Sequence, residues 1–221
     1  MQNWLFEPLD IYCERVGSGF WDEPLNAISN ISFFIAAWFA WRLAQGKSFD
    51  ASKEVKILAI LIAVIGLGSL LFHTLALRWT LYADVIPISV YQSVFLSFYL
   101  RKISKLSYVV ISFILLLFLF AHFTLGMLPI HALNGSITYS PALIFLLSIG
   151  YYHLYSKKQF AWGLLIASML FAISLVFRTI DFNVCESLSI GTHHLWHLFN
   201  GLVLYLTVSA YVLNRPNKTN V

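Results

Sequence analysis

The sequence predicts an all-α integral membrane protein: a seven-transmembrane-helix bundle with its N-terminus outside and its C-terminus cytoplasmic. Three observations carry that expectation. Apolar residues make up 59% of the chain and charged ones only 11%, with a mean hydropathy of +0.77, which excludes an ordinary soluble domain. Apolar runs recur along the chain, each of about 17–25 residues, the length that crosses a bilayer as a helix. The cations are sorted between alternate loops: the segments at 42–56, 101–105 and 157–158, with the C-terminal tail, hold eleven of the fourteen Lys and Arg. The other side keeps only Arg15, Arg78 and Arg178. The positive-inside rule then places the C-terminus in the cytoplasm, and an even number of spans would scramble the alternation. The net charge of +4 therefore reports topology and not a nucleic-acid partner.

In chain order, residues 1–24 form a polar extracytoplasmic segment in which Glu7, Asp10, Glu14, Asp22 and Glu23 face a single Arg15. It lacks the basic and apolar regions of a cleaved signal peptide. The spans follow at 25–43, 56–75, 80–100, 106–127, 138–155, 160–177 and 191–213, the fifth interrupted by Pro141 and Gly150. Short linkers and the lack of a tandem repeat make residues 25–214 one bundle domain, with 215–221 as a cytoplasmic tail. Cys13 and Cys185 both fall on the outer side. Two cysteines in an oxidising compartment favour a disulfide, with two free thiols as the alternative. Trp4, Trp21, Trp79 and Trp196 outside, and Trp38, Trp41 and Trp162 inside, read as interfacial belts.

The seventh span opens Gly191-Thr-His-His-Leu-Trp-His-Leu-Phe-Asn-Gly-Leu202, so His193 and His197 stand one above the other on one helix face. Intramembrane imidazoles face a bundle interior, where they pair with something or bind it. Alone, the pair is read equally well as two histidines satisfied by hydrogen bonds. Span two, however, ends with Ser69 and His73 four apart, and Asp84 enters span three just past the turn. At 1.5 Å per residue, His73 and Asp84 lie roughly 6–9 Å below the outer surface, the depth of the histidine pair. Each of these residues alone is explained as polar glue between helices. Five at one level on separate helices are not. Three neutral histidines suit a zinc ion with one open position, with Asp84 placed to accept a proton and Ser69 to bond water or a developing oxyanion. His122, His131, His153 and His194 are expected not to be ligands.

These motifs resemble the alkaline ceramidases, part of a superfamily of seven-helix membrane hydrolases that also includes the progestin and adiponectin receptors. Ser69-x-x-x-His73, Asp84 eleven residues on, and His193-x-x-x-His197 carry the resemblance. Gly-Leu-Gly-Ser69, Asp84-Val-Ile-Pro87 and His197-Leu-Phe-Asn-Gly-Leu extend it. At the N-terminus, Asp10-Ile-Tyr-Cys13-Glu14 and Glu23-Pro-Leu-Asn26-Ala-Ile-Ser-Asn30 are similar to that family's Asp-Trp-Cys-Glu and Glu-x-x-Asn-x-x-Ser-Asn. The resemblance implies zinc on His73, His193 and His197, with Ser69 and Asp84 completing the site. It also implies a Cys13–Cys185 disulfide and a calcium site in which Asp10, Glu14 and Glu23 match best. The sequence departs from the family in three places. The Asp-Trp-Cys-Glu block has gained a residue and lost its Trp, the segment down to Glu23 is shorter, and Leu195 replaces an aromatic between the paired histidines.

The expected function is a zinc-dependent amide hydrolase acting on a lipid substrate, ceramide or another N-acyl lipid. The alternative is a receptor-like seven-helix zinc protein of the progestin and adiponectin type. A proton or ion transporter would carry carboxylates through the whole membrane thickness, whereas Asp84 stands alone within the spans. The expected location is a bacterial inner membrane with the site toward the periplasm, otherwise the ER/Golgi or the plasma membrane.

Overall fold

The structure is a computed structural model that describes residues 4–45, 49–128 and 132–215. Helices account for most of it: α1 (Pro24–Ser29), α2 (Ile31–Leu43), α3 (Phe49–Leu75), α4 (Arg78–Lys102), α5 (Tyr108–Gly126), α6 (Ser140–Tyr155), α7 (Gly163–Ile180) and α8 (His193–Asn214). Among the described residues, α3, α4, α5, α7, α8 and the run Leu133–Tyr155 are long and apolar enough to cross a membrane. The protein is thus a multi-pass membrane protein. His131, Lys47 and Lys218 lie outside the described residues.

The expected first span is divided. The Asn30 side chain donates to the carbonyls of Asn26 (2.8 Å) and Ala27 (3.3 Å), while its own N–H turns to Ala27 and Ile28 and the Phe33 N–H reaches back to Asn30. Polar side chains that bond nearby carbonyls compete with the helical ladder, so one tighter turn links α1 to α2. Pro141, expected to interrupt the fifth span, instead starts α6, where a missing N–H costs nothing. Before it, Leu133, Asn134 and Gly135 take positive φ and close a compact 3₁₀ segment.

Helix α3 packs between α2 and α4, and α8 between α2 and α7, while α1 reaches both α3 and α8. Two glycines permit the closest approaches. A Cβ on Gly68 would stand 1.9 Å from the Ala83 carbonyl oxygen of α4, and one on Gly201 would stand 2.9 Å from the Ser32 carbonyl oxygen of α2. Helix α5 lies at the periphery with only Ile111 and Phe118 buried, and its exposed Phe113, Leu116, Phe120 and Phe123 present the apolar surface that lipid tails require.

The two ends of the 27-residue α3 hold different parts of the chain. At its C-terminal end, Leu9 N–H bonds the Ala76 carbonyl and Arg78 N–H bonds the Glu7 carbonyl. Near its N-terminal end, Glu54 accepts from Arg215 and from the Tyr211 hydroxyl, and Lys102 lies 3.4 Å away. The N-terminal segment and Arg215 therefore sit about 33 Å apart along a helix axis, the span from Glu54 to Ala76. Trp196, read as a belt residue, is buried against Tyr139 and Phe171, because its place on α8 faces the interior and not lipid.

Candidate metal centre

His73 stands in the last turn of α3, Asp84 near the start of α4, and His193 and His197 on the first turns of α8. Gly68 brings the backbones of α3 and α4 together one residue before Ser69, which sets Ser69, His73 and Asp84 at one level. All five residues that the sequence proposed for the zinc site are buried. The three imidazoles each offer a ligand atom, and these atoms lie within 4.8 Å of one another. Tetrahedral zinc with bonds near 2.05 Å needs nitrogens about 3.3 Å apart, so a modest side-chain adjustment closes the set.

The hydrogen bonds fix which nitrogens are free. Glu23 Oε2 lies 2.6 Å from His73 Nδ1, and a carboxylate accepts, so Nδ1 carries the proton and Nε2 keeps its lone pair. The Ser29 hydroxyl donates to the Asn26 carbonyl (2.9 Å) and so accepts from His197 Nδ1 at 2.7 Å, which leaves His197 Nε2 with its lone pair. That Nε2 is 3.4 Å from Ser69 Oγ. His73 Nε2 and His193 Nδ1 have no hydrogen-bond partner although both are buried. A buried polar atom left unpaired costs about 1–3 kcal/mol, and a group of them aimed at one point fits a cation. Oriented imidazoles with their second nitrogen bonded to oxygen are also the arrangement that tunes metal ligands. The donor set therefore fits zinc.

The N-terminal segment covers this cluster. The Tyr12 ring stacks on His193 at 3.6 Å, and Arg178 donates to the Tyr12 hydroxyl at 2.6 Å. The Arg178 guanidinium also lies over the rings of Tyr139 and Trp196 and acts electrostatically on Asp84, as do His73, Ser69 and Glu23. Cys13 and Cys185 form a disulfide. Beside it, buried Asp181 accepts from Cys13 N–H (2.8 Å), Thr192 N–H (2.7 Å) and His193 N–H (2.9 Å). One carboxylate thus caps the start of α8 and ties the covering segment to it, a favourable use of an acid at a helix N-terminus. Gly191, at φ +59°, supplies the turn, and a Cβ there would stand 2.2 Å from Asp181.

The residues matched to calcium take up separate positions. Asp10 is exposed. Glu14 caps α1, one oxygen accepting from Leu25 N–H (2.7 Å) and the other from Asn26 N–H (2.8 Å). Glu23 binds Arg15, His73 and Asn26. Burial would raise its carboxyl, but the hydrogen bonds from His73 and Asn26 and the Arg15 charge outweigh that and hold it below the usual carboxylate range. Sequence reasoning missed Ser29, Asp181, Tyr12 and Arg178. Ser29 stood inside a motif already quoted. Asp181 and Arg178 looked like ordinary loop and span-end charges. His122 bonds Ser89, His153 bonds Tyr99, and His194 lies outside the histidine cluster.

Below the histidines, an apolar cavity runs into the bundle, bounded near the cluster by Phe33, Trp196 and Asn200 and deeper by Phe95, Ile149 and Val203. Fold and site together define a multi-pass helical membrane protein with an intramembrane histidine cluster compatible with a metal ion. A model of the family described as Ceramidase matches residues 12–220, nearly the whole chain, and the protein belongs to that family of lipid amide hydrolases. A comparison with curated proteins finds no match.

Proposed function

We propose that the protein is a zinc-dependent hydrolase that cleaves the N-acyl amide of ceramide or a similar lipid to a fatty acid and an amine. The observation that carries this reading is the pair of Nε2 lone pairs on His73 and His197, freed by Glu23 and Ser29 and converging with His193. Bound there, zinc would polarise the amide carbonyl and acidify a water. Asp84 accepts the proton of the attacking water as its oxygen adds to the carbonyl carbon. Asp84 then returns that proton to the nitrogen as the C–N bond breaks, since an amine leaves only when protonated. The Ser69 hydroxyl, between His197 and Asp84, bonds the oxygen on which negative charge grows. The cavity beneath, lined almost entirely by apolar side chains, suits an apolar chain.

Seven crossings, with the site outside and the C-terminus cytoplasmic, accompany the proposal. Residues 24–43, a run of two helices joined by one tight turn, supply the seventh. Arg15 and Arg178 are buried, so Arg78, paired with Glu7, is the one cation at the site end that reaches the surface, among the described residues. That strengthens the charge asymmetry. Incubating purified protein with a panel of N-acyl lipids, with product analysis and zinc content from the same preparation, tests the reading. Fatty acid release that tracks zinc is expected. Zinc-loaded protein that releases none would move the receptor-like reading ahead.

A further inference from the structure

The family resemblance implies calcium in the N-terminal segment, and the side chains there do not fit it. Calcium takes six to eight oxygens at about 2.3–2.6 Å. Both oxygens of Glu14 are occupied by backbone N–H groups of α1. On Glu23, Oε1 accepts from Arg15 Nε at 2.5 Å, and Oε2 accepts from His73 Nδ1 at 2.6 Å and Asn26 Nδ2 at 3.0 Å. Asp10 is exposed, Glu7 pairs with Arg78, and Asp22 accepts from Gly19 N–H. The oxygens that a cation would collect converge instead on one buried guanidinium. Arg15 donates to Glu23, to the Gly17 carbonyl (3.2 Å) and to the His73 carbonyl (3.2 Å).

We infer that Arg15 is a built-in cation that replaces calcium in the N-terminal segment and, through Glu23, positions His73 for its metal, so that the protein works without calcium. Arginine suits the role. Its planar fork stays charged when buried and donates along several directions at once, so it joins one carboxylate to two carbonyls as an ion would. The contacts also span the right elements: the covering segment (Gly17), the start of α1 (Glu23) and the end of α3 (His73). A covalently attached cation cannot be lost to dilution or to a chelator, whereas a calcium bridge can. The positioning of His73 rests on the zinc reading above, but the exclusion of calcium does not.

The test measures bound calcium, zinc affinity and thermal midpoint on the full chain in detergent, with zinc buffered throughout. Wild-type protein should carry no stoichiometric calcium after dialysis, and its midpoint should not move with calcium or a calcium chelator. Arg15→Ala frees Glu23 Oε1 and the Gly17 and His73 carbonyls. It should lose about tenfold in zinc affinity, the scale of a partner behind a metal ligand. Millimolar calcium should recover part of that loss in Arg15→Ala and none in wild type. Arg15→Lys should retain part of the wild-type affinity without calcium. One tightly held calcium in wild type, or a midpoint raised by calcium, overturns the inference even if Arg15→Ala does not fold. Arg15→Ala with wild-type zinc affinity in the absence of calcium overturns the positioning role. A wild type that binds no zinc at all rejects the zinc reading and leaves the calcium result to be judged by itself.

Discussion

His73 and His153 are both fully buried on membrane helices, yet their nitrogens are treated differently. At the far end of the bundle, His153 Nε2 donates to the Gln159 carbonyl at 2.9 Å, and its Nδ1 accepts from the Tyr99 hydroxyl at 2.8 Å. Both nitrogens are satisfied by protein. At the covered end, Glu23 takes His73 Nδ1 and nothing takes Nε2, and His193 Nδ1 is likewise unpaired. The difference teaches how to tell glue from ligand. His153 spends both nitrogens on protein partners, whereas His73 has one nitrogen held and the other left open within a cluster of three imidazoles, as a metal ligand requires.

The sharpest way to break this comparison is to remove the rings. Substituting His73, His193 or His197 by Ala should lower zinc from about one per chain to near zero and abolish hydrolysis, because three donors define an open catalytic site. His153→Ala should keep the zinc. Elemental analysis of all four variants is the check, and equal zinc throughout would erase the distinction between the two ends. Next in size is Asp84→Asn, which preserves shape but cannot accept a proton. Turnover should fall by roughly 10²–10⁴ with zinc retained, the usual scale for a general base. Hydrolysis at the wild-type rate would remove Asp84 from the chemistry.

The histidine cluster was legible because helical spacing is local. His193 and His197 declare a shared face by being four apart, and Ser69 and His73 do the same. Depth followed from counting residues away from the turn at 77–79. The covering network was not legible, because Tyr12 meets Arg178 and Cys13 meets Asp181 across more than 160 positions, with no periodicity to announce them. Arg178 misled most. A lone arginine at a span end reads as a topology marker, yet it is buried among Tyr12, Tyr139 and Trp196, within electrostatic reach of Asp84. The division of the first span at Asn30 escaped for a different reason: hydropathy averages over a window and does not see one amide bonding backward along its own helix.

The second-nitrogen partners sharpen the comparison at smaller amplitude. Glu23→Gln and Ser29→Ala should each weaken zinc by about 10–100-fold, since such partners fix tautomer and ring direction. Competition with a zinc chelator would read this directly, and unchanged affinity in both variants would make the bonds incidental. Gly68→Ala tests the backbone approach beneath the site. Its Cβ would meet the Ala83 carbonyl oxygen at 1.9 Å, so α3 and α4 must separate. The expected cost is about 1–3 kcal/mol in stability, with turnover reduced more than substrate affinity, because Asp84 moves with Ala83.

The smallest effect is expected at the far end, from Tyr99→Phe. His153 Nε2 faces a carbonyl and so bears the proton, which makes Nδ1 an acceptor whose donor is the Tyr99 hydroxyl. Removing that hydroxyl leaves one buried lone pair unpaired, at about 1–3 kcal/mol, the same order as the orphan nitrogens beside the proposed metal. At the covered end the proposed metal would compensate the orphan nitrogens. At this end no second or third imidazole stands close enough to share one, among the described residues. The variant should therefore lose stability and nothing else: a lower thermal midpoint, unchanged zinc content and unchanged hydrolysis at temperatures where it stays folded. Ser29→Ala makes the matched control, because it too removes a hydroxyl from a buried histidine Nδ1, but that histidine has its other nitrogen in the metal cluster. If Tyr99→Phe alters zinc affinity as much as Ser29→Ala does, the two ends act as one network, and the separation between scaffold and ligand histidines fails.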